Sequence, residues 1–221
     1  VTSVRQELVK TIWRGVDPFF GFPRRLYQRD LQGWGAEHRF LSSTIVERRP
    51  SIIVEVGTWK GASTLFMADL LRVNNIDGVV ISVDTWLGSA EHWRQDRWFG
   101  ELNMEFGYPS LQRKFMNNVL ESSLEDYVLP LPLDSLNAAS IMKSFNITPD
   151  LIHLDGGHDY ESVSADLRVW WERLSPGGFI VGDDYHDTWP GVKRAFDEAF
   201  GASGALEIDI PKCRVEKRFS L

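Results

Sequence analysis

A single cysteine, Cys213, in 221 residues rules out an intrachain disulfide and any zinc site built from several thiolates, and it suits a reducing compartment. Long apolar runs are missing as well: none approaches the roughly 20 residues that a bilayer-spanning helix needs. The first residues also lack the basic, apolar and small-residue order of a signal peptide. These absences predict a soluble, cytoplasmic chain without a membrane partner. Positive charge is in short supply, with 24 Lys and Arg against 31 Asp and Glu and a net charge of -7. Surfaces that bind phosphate backbones gain affinity from clustered basic residues, so nucleic acid is not expected as a partner. There is no P-loop, no G-x-S-x-G elbow and no H-E-x-x-H pattern, which removes sequence support for nucleotide hydrolysis, serine hydrolysis and zinc proteolysis. Repeats, low-complexity tracts and linkers are absent too, and a chain of this length buries a sufficient core as one domain spanning residues 1–221.

What is present, from about Ser51 onward, is an alternation of short apolar runs with amphipathic segments, the pattern of a parallel sheet covered on both faces. The class is therefore α/β. Strands are predicted at Ser51 to Val56, Val79 to Val83, Tyr127 to Leu131, Leu151 to Leu154 and Phe179 to Gly182. Helices are predicted at Ala62 to Val73, Ser110 to Ser122, Ser135 to Phe145, Tyr160 to Leu174 and Gly191 to Phe200, the fourth ended by Ser175-Pro176-Gly177-Gly178. Two strand-like segments close the chain, Ala205 to Ile210 and Arg214 to Leu221, and their proximity predicts an antiparallel hairpin. Residues 1–49 carry scattered helical pattern and the turn-rich DPFFGFP of Asp17 to Pro23, which reads as a cap, a lid or a homo-oligomer contact. Residues 85–109 form a long aromatic connection with Trp86, Trp93, Trp98, Phe99, Phe106 and Tyr108, expected to act as a substrate-facing lid.

Three local patterns carry chemistry. Glu55 to Ser63, E-V-G-T-W-K-G-A-S, lies where the first strand gives way to a helix. Glycines there let backbone approach a ligand, and the helix start offers N–H groups to an anion; a plain strand-to-helix turn would use the same glycines. Asp84 ends the second strand, where a carboxylate can accept from both ribose hydroxyls or simply cap the next segment. Asp155, Asp183 and Asp184 end the fourth and fifth strands, and three converging carboxylates call for a cation, most simply a hard divalent metal. His153, His158 and His186 cluster at the same strand ends. His153 reads as a satisfied core residue, whereas His158 in D-G-G-H-D-Y is the candidate general base, or else a loop imidazole that orients a neighbour. Of Trp170 and Trp171, at least one ring is core. A glycine turn followed by an acidic strand end also fits a nicotinamide-dependent oxidoreductase, although the tighter G-x-G-x-x-G spacing is absent. A non-catalytic binding module is the third alternative.

Together these segments resemble the class I S-adenosylmethionine-dependent methyltransferases, specifically the small-molecule O-methyltransferases, over roughly Pro50 to Leu221. Glu55-Val56-Gly57-Thr58-Trp59-Lys60-Gly61-Ala62-Ser63 looks like the E-x-G-x-x-x-G-x-S signature of the catechol and caffeoyl-coenzyme A enzymes. L-I-H-L-D-G-G-H-D-Y and L-S-P-G-G-F-I-V-G-D-D-Y look like a bacterial branch that modifies sugars and antibiotics. The resemblance implies a Rossmann-like, doubly wound, mostly parallel seven-stranded sheet. It implies that Gly57 and Gly61 shape the cofactor loop beside Glu55, that Trp59 flanks the methionine part and Ser63 holds its carboxylate, that Asp84 binds ribose, and that Asp134 and Ser135 contact adenine. It further implies magnesium, or another divalent ion, on Asp155, Asp183 and Asp184, and a hydroxylated small molecule as acceptor. The catechol enzyme has its lysine base where this chain has His158, and some antibiotic-modifying relatives have an Asp where it has Gly157.

Overall fold

The structure, a computed structural model, describes residues 2–218. Helices α1 (Ser3–Ile12) and α2 (Arg39–Arg48) precede the alternating core of β1 (Ile52–Val56), α3 (Ala62–Val73) and β2 (Val79–Val83). After β2 come two short helices, α4 (Ala90–Arg94) and α5 (Asp96–Glu101), and a small hairpin of β3 (Met104–Glu105) and β4 (Tyr108–Pro109). The core then resumes with α6 (Leu111–Glu121), β5 (Val128–Leu131), α7 (Ser135–Ser144), β6 (Leu151–Leu154), α8 (Tyr160–Arg173), β7 (Phe179–Gly182), α9 (Pro190–Phe200), β8 (Glu207–Asp209) and β9 (Lys212–Glu216). The seven-stranded sheet has the order β5-β2-β1-β6-β7-β9-β8, parallel through β7 and antiparallel from β9 on, as expected.

Period-two alternation sorts the strand residues onto two faces. Val54, Ile81, Leu129, Ile152 and Ile180 pack with Leu167, Trp170 and Phe196 of α8 and α9 on one side. Ile53, Val80, Val128, Leu151 and Val181 pack with Ile45, Leu71 and Phe115 of α2, α3 and α6 on the other. Both Trp170 and Trp171 are core. Helix starts are set locally: Asp134 and Asp159 accept from the backbone N–H of Asn137 and Ser162, three residues on, and Pro190 opens α9.

The chain departs from expectation in two places, residues 85–109 and the last strand. The 85–109 connection is mostly helix and hairpin, and Trp86 is core, donating its indole N–H to the Trp59 carbonyl. The last strand is Lys212–Glu216 rather than a segment starting at Arg214, because it pairs with β7 from Cys213 to Glu216 and with β8 from Lys212 to Arg214; positions 219–221 lie outside the described residues. Residues 2–49 run from the edge of β5 to the carboxyl ends of β1 and β7, which they reach at Gly33 and Gly35. Arg5 and Trp13 bond the carbonyls of Val128 and Pro130 at the β5 edge. Asn117 and Asn118 of α6 receive the N–H groups of Tyr27 and Asp30. Gly33 then approaches Ala62, and Gly35 lies beside Asp183. Among the described residues no helix is long and apolar enough to cross a membrane.

Candidate functional site

The glycine loop bends from β1 into α3 through residues with positive φ at Gly57, Trp59 and Gly61. A side chain at Gly57 would sit 2.0 Å from the Asp155 carbonyl oxygen, and one at Gly61 would strike the Phe115 ring at 2.8 Å, so packing as well as φ demands glycine. Glu55, fully buried, accepts from the hydroxyls of Ser63 (2.5 Å) and Thr64 and lies 3.1 Å from His153 Nδ1. It thereby ties the start of α3 to β1 and β6, and the Ser63 hydroxyl is engaged by Glu55. The Asp84 carboxylate accepts three backbone N–H groups, from Thr58 (2.9 Å), Trp59 (3.0 Å) and Trp86 (2.7 Å). Burial pushes its pKa up against the pull of these donors. With about four lone-pair sites on a carboxylate, Asp84 both braces the loop and retains capacity for a hydroxyl. Trp59 stacks on His92 of α4 at 4.5 Å and donates its indole N–H to Gln32.

Beside Asp84, at the carboxyl ends of β2 and β5, Thr85, Trp86, Tyr108, Pro132, Leu133 and Asp134 line a cavity of about 340 Å³. Asp134 faces it while capping α7. Ser135 instead turns inward, donating to Asp166 and accepting from the Trp170 indole at 2.8 Å. Asp166, largely buried, has its pKa raised to about 6 by desolvation.

At the ends of β6 and β7 the expected acidic triad divides. Asp155 and Asp183, with His153, place one ligand atom each within 4.8 Å of one another. The Asp184 carboxylate lies 3.0 Å from His158 Nε2 and 3.6 Å from His186 Nε2, in a residue with φ of +58°. Burial raises its pKa, but the two imidazoles outweigh that and leave it lowered. His158 stacks on Trp189 at 4.0 Å. Its loop is clamped: a side chain at Gly191 would strike the His158 carbonyl at 2.7 Å, and one at Gly157 would strike Ser162 at 2.8 Å, which leaves no room for an Asp there. Burial, then the charge of Asp183, drives the Asp155 carboxyl well up. Asp155, His158, Asp166, Asp183 and Asp184 line one small recess.

Lys212, which in the sequence reads only as part of the closing hairpin, enters the same place. Its ammonium pairs with Asp183 and lies 3.3 Å from His153 Nε2, and both Lys212 and His153 are fully buried. Lys60 is a second charge that sequence reasoning misses: fully buried, it bridges Asp30 of the N-terminal segment (2.5 Å) and Glu101 of α5 (2.6 Å). The sequence carries little signal for either: Lys212 falls between the two predicted closing strands, where a lysine ordinarily faces solvent, and Lys60 falls inside the glycine motif.

The family described as "Methyltransferase domain" matches residues 54–185, from the glycine loop through the acidic pole. The chain belongs to this methyltransferase family. A Streptomyces olivaceus protein, 8-demethyl-8-(2,3-dimethoxy-alpha-L-rhamnosyl)-tetracenomycin-C 4'-O-methyltransferase, is 31% identical over 66% of this chain and 57% of its own length. Among solved structures, the O-methyltransferase NovP has a TM-score of 0.61 at 22% identity, covering 82% of this chain and 78% of that one. TomG from Streptomyces achromogenes, an O-methyltransferase in complex with SAM, has a TM-score of 0.58 at 13% identity over 98% and 91% of the two chains. The chain spans 13% to 58% of the length of the curated relatives it matches. The structural likenesses show the Rossmann-like fold, and membership of the methyltransferase family sets the oxidoreductase alternative aside.

In this methyltransferase domain the loop and the 340 Å³ cavity adjoin at the carboxyl ends of β1, β2 and β5, where open α/β sheets take their ligands. The acidic pole lies one strand further on. A divalent ion there fits poorly, because Lys212 already holds two of the three donors, Asp183 and His153.

Proposed function

We propose that the chain transfers a methyl group from S-adenosylmethionine to a hydroxyl of a small molecule. When bound, that cofactor supplies an electrophilic methyl on its sulfonium; everything else in the reaction is the work of the chain. Gly57 and Gly61 leave room for the methionine part beside Trp59. Asp84 offers the ribose its remaining acceptor capacity, and the cavity at Asp134 takes the adenine. Ser63 is assigned to the carboxylate end, where its N–H at the start of α3 is the donor, since its hydroxyl serves Glu55.

The observation that carries the reading is the His158–Asp184 pair at 3.0 Å, in the same recess as Asp155 and next to the glycine loop. Asp184 accepts the Nε2–H of a neutral His158, which leaves Nδ1 with the lone pair that receives the proton of the acceptor hydroxyl. Asp155 faces the same space as a hydrogen-bonding partner for the acceptor. Trp34 meets Trp98 edge-on at 5.2 Å, and Trp98 in turn meets His92, which stacks on Trp59, an aromatic wall beside the glycine loop suited to a ring-bearing acceptor. The rhamnosyl acceptor in the name of the Streptomyces olivaceus relative makes sugar rings and phenols the first acceptors to try. A divalent ion on Asp155 and Asp183 is the competing form of this reading, and it requires Lys212 to leave.

The test is calorimetry with S-adenosylmethionine and with NAD, followed by a methyl-transfer screen over hydroxylated sugars and phenols. Binding of S-adenosylmethionine with turnover on at least one hydroxyl is expected. Binding without turnover across the screen would favour a non-catalytic module, and no binding would overturn the reading.

A further inference from the structure

We infer that Lys212 is the resident cation of the Asp155–Asp183 pole and keeps divalent ions out of it. The pole resembles a metal site in its donor set: an imidazole and two carboxylates with ligand atoms within 4.8 Å of one another. Its hydrogen bonds show how those donors are spent. Glu55 accepts from Ser63, from Thr64 and from His153, so His153 must donate at Nδ1 and carry its lone pair on Nε2. That lone pair faces the Lys212 ammonium at 3.3 Å, and the same ammonium pairs with Asp183. A divalent ion would need both groups, and it would sit in contact distance of a fixed positive charge in a buried place where repulsion is weakly screened.

Lys212 has no easy exit. It is fully buried at the start of β9, paired with Asp209 in the closing hairpin. The N-terminal segment lies over it, with Gly35 placed so that a side chain there would meet the ammonium at 3.7 Å. The ammonium acts as a positioning group: it holds Asp183 and, through His153 and Glu55, joins the acidic pole to the start of α3. The inference rests on the proposed reaction only in taking this pole as the acceptor end of the site; the exclusion of metal follows from the contacts themselves.

Manganese binding, followed by electron paramagnetic resonance and by thermal unfolding, tests it in the wild type, Asp183→Asn, Lys212→Met, Lys212→Gln and the Lys212→Met/Asp183→Asn double variant. The wild type is expected to bind no Mn²⁺ at this pole, to unfold at a temperature indifferent to Mn²⁺, and to keep its turnover in chelator. Lys212→Met should bind one Mn²⁺ at least about 100-fold more tightly than the wild type, with an unfolding temperature that rises with Mn²⁺, because removing the ammonium frees both donors and the repelling charge. The double variant should lose that gain. If Lys212→Met does not fold, Lys212→Gln carries the same comparison. Wild-type binding of one Mn²⁺ that Asp183→Asn abolishes would overturn the inference, and so would Lys212 variants that bind Mn²⁺ no better than the wild type. S-adenosylmethionine affinity in the same samples separates the two ideas: if it is absent while the manganese results hold, the methyl-transfer reading fails and the role of Lys212 stands.

Discussion

Asp84 braces the glycine loop and is proposed to hold the ribose, and a single substitution tests both. Asp84→Ala removes the acceptor for three backbone N–H groups of the loop together with the proposed ribose partner. S-adenosylmethionine affinity should fall by about 1.5–3 kcal/mol, the range for hydrogen bonds to a charged group; calorimetry on a folded variant with unchanged affinity would remove Asp84 from the cofactor site. His158→Gln should lower kcat by roughly 10²–10⁴-fold with S-adenosylmethionine affinity nearly unchanged, as expected for loss of a general base. A variant that turns over normally would leave His158 as an orienting imidazole. Asp166 offers a pH test. Its folded pKa is raised from 3.8 to about 6 by burial, so the native state holds its proton more tightly than the unfolded chain. The associated stability is fully present below the unfolded value and is lost as pH rises through the folded one. The shift corresponds to at most about 3 kcal/mol. Asp166→Asn, which keeps an acceptor for Ser135, should therefore gain on the wild type in urea denaturation between about pH 4 and pH 7. Equal curves at both ends would mean that Asp166 does not titrate there.

Among the elements, the N-terminal segment and the 85–109 connection behave as one cover because Lys60 joins them. With Asp30 and Glu101 on either side, its ammonium sits below the crossing segment and α5. Removing one partner of a fully buried pair costs about 3–5 kcal/mol, but Asp30 and Glu101 keep 35% and 39% of their side-chain exposure. Lys60→Met should thus cost less, about 2 kcal/mol. Its distinctive consequence is local: limited proteolysis should cut within residues 17–38 or 85–109 sooner than in the wild type. S-adenosylmethionine should slow that cutting in the wild type, since Trp59 and His92 stack where the loop meets α4. Identical digestion of wild type and variant, with and without the cofactor, would mean that these segments are fixed parts of the fold rather than a cover.

On the scale of the whole molecule, both cores are built on the same strands, so neither face can be lost alone. Neighbouring residues of one strand, such as Ile53 and Val54, belong to opposite clusters. Unfolding should accordingly be one cooperative event. Far-ultraviolet circular dichroism and tryptophan emission, the latter reporting Trp170 and Trp171 on one face and Trp86 on the other, should give coincident denaturation curves. Two resolved transitions would show that the faces separate.

Much of this was written in local pattern. The five parallel strands and the major helices appear in the sequence within a residue or two because β-branched runs, the Asp134 and Asp159 caps and the Ser175 to Gly178 stop act over a few residues each. The placing of the glycine loop and of Asp84, Asp155 and Asp183 at strand ends was legible for the same reason. What the side chains do there was decided only by the fold. Asp184 turns to His158 and His186, Ser63 to Glu55, and Ser135 to Asp166, and except for His186, two positions beyond Asp184, each partner lies at least 8 positions away on another part of the fold. Lys212 reaches Asp183 across 29 positions, and Gly35 comes to rest beside both from the far end of the chain. Local sequence sets where backbone turns and which residues face inward; which charge meets which is fixed by long-range packing, and that pairing decides what cation the acidic pole holds.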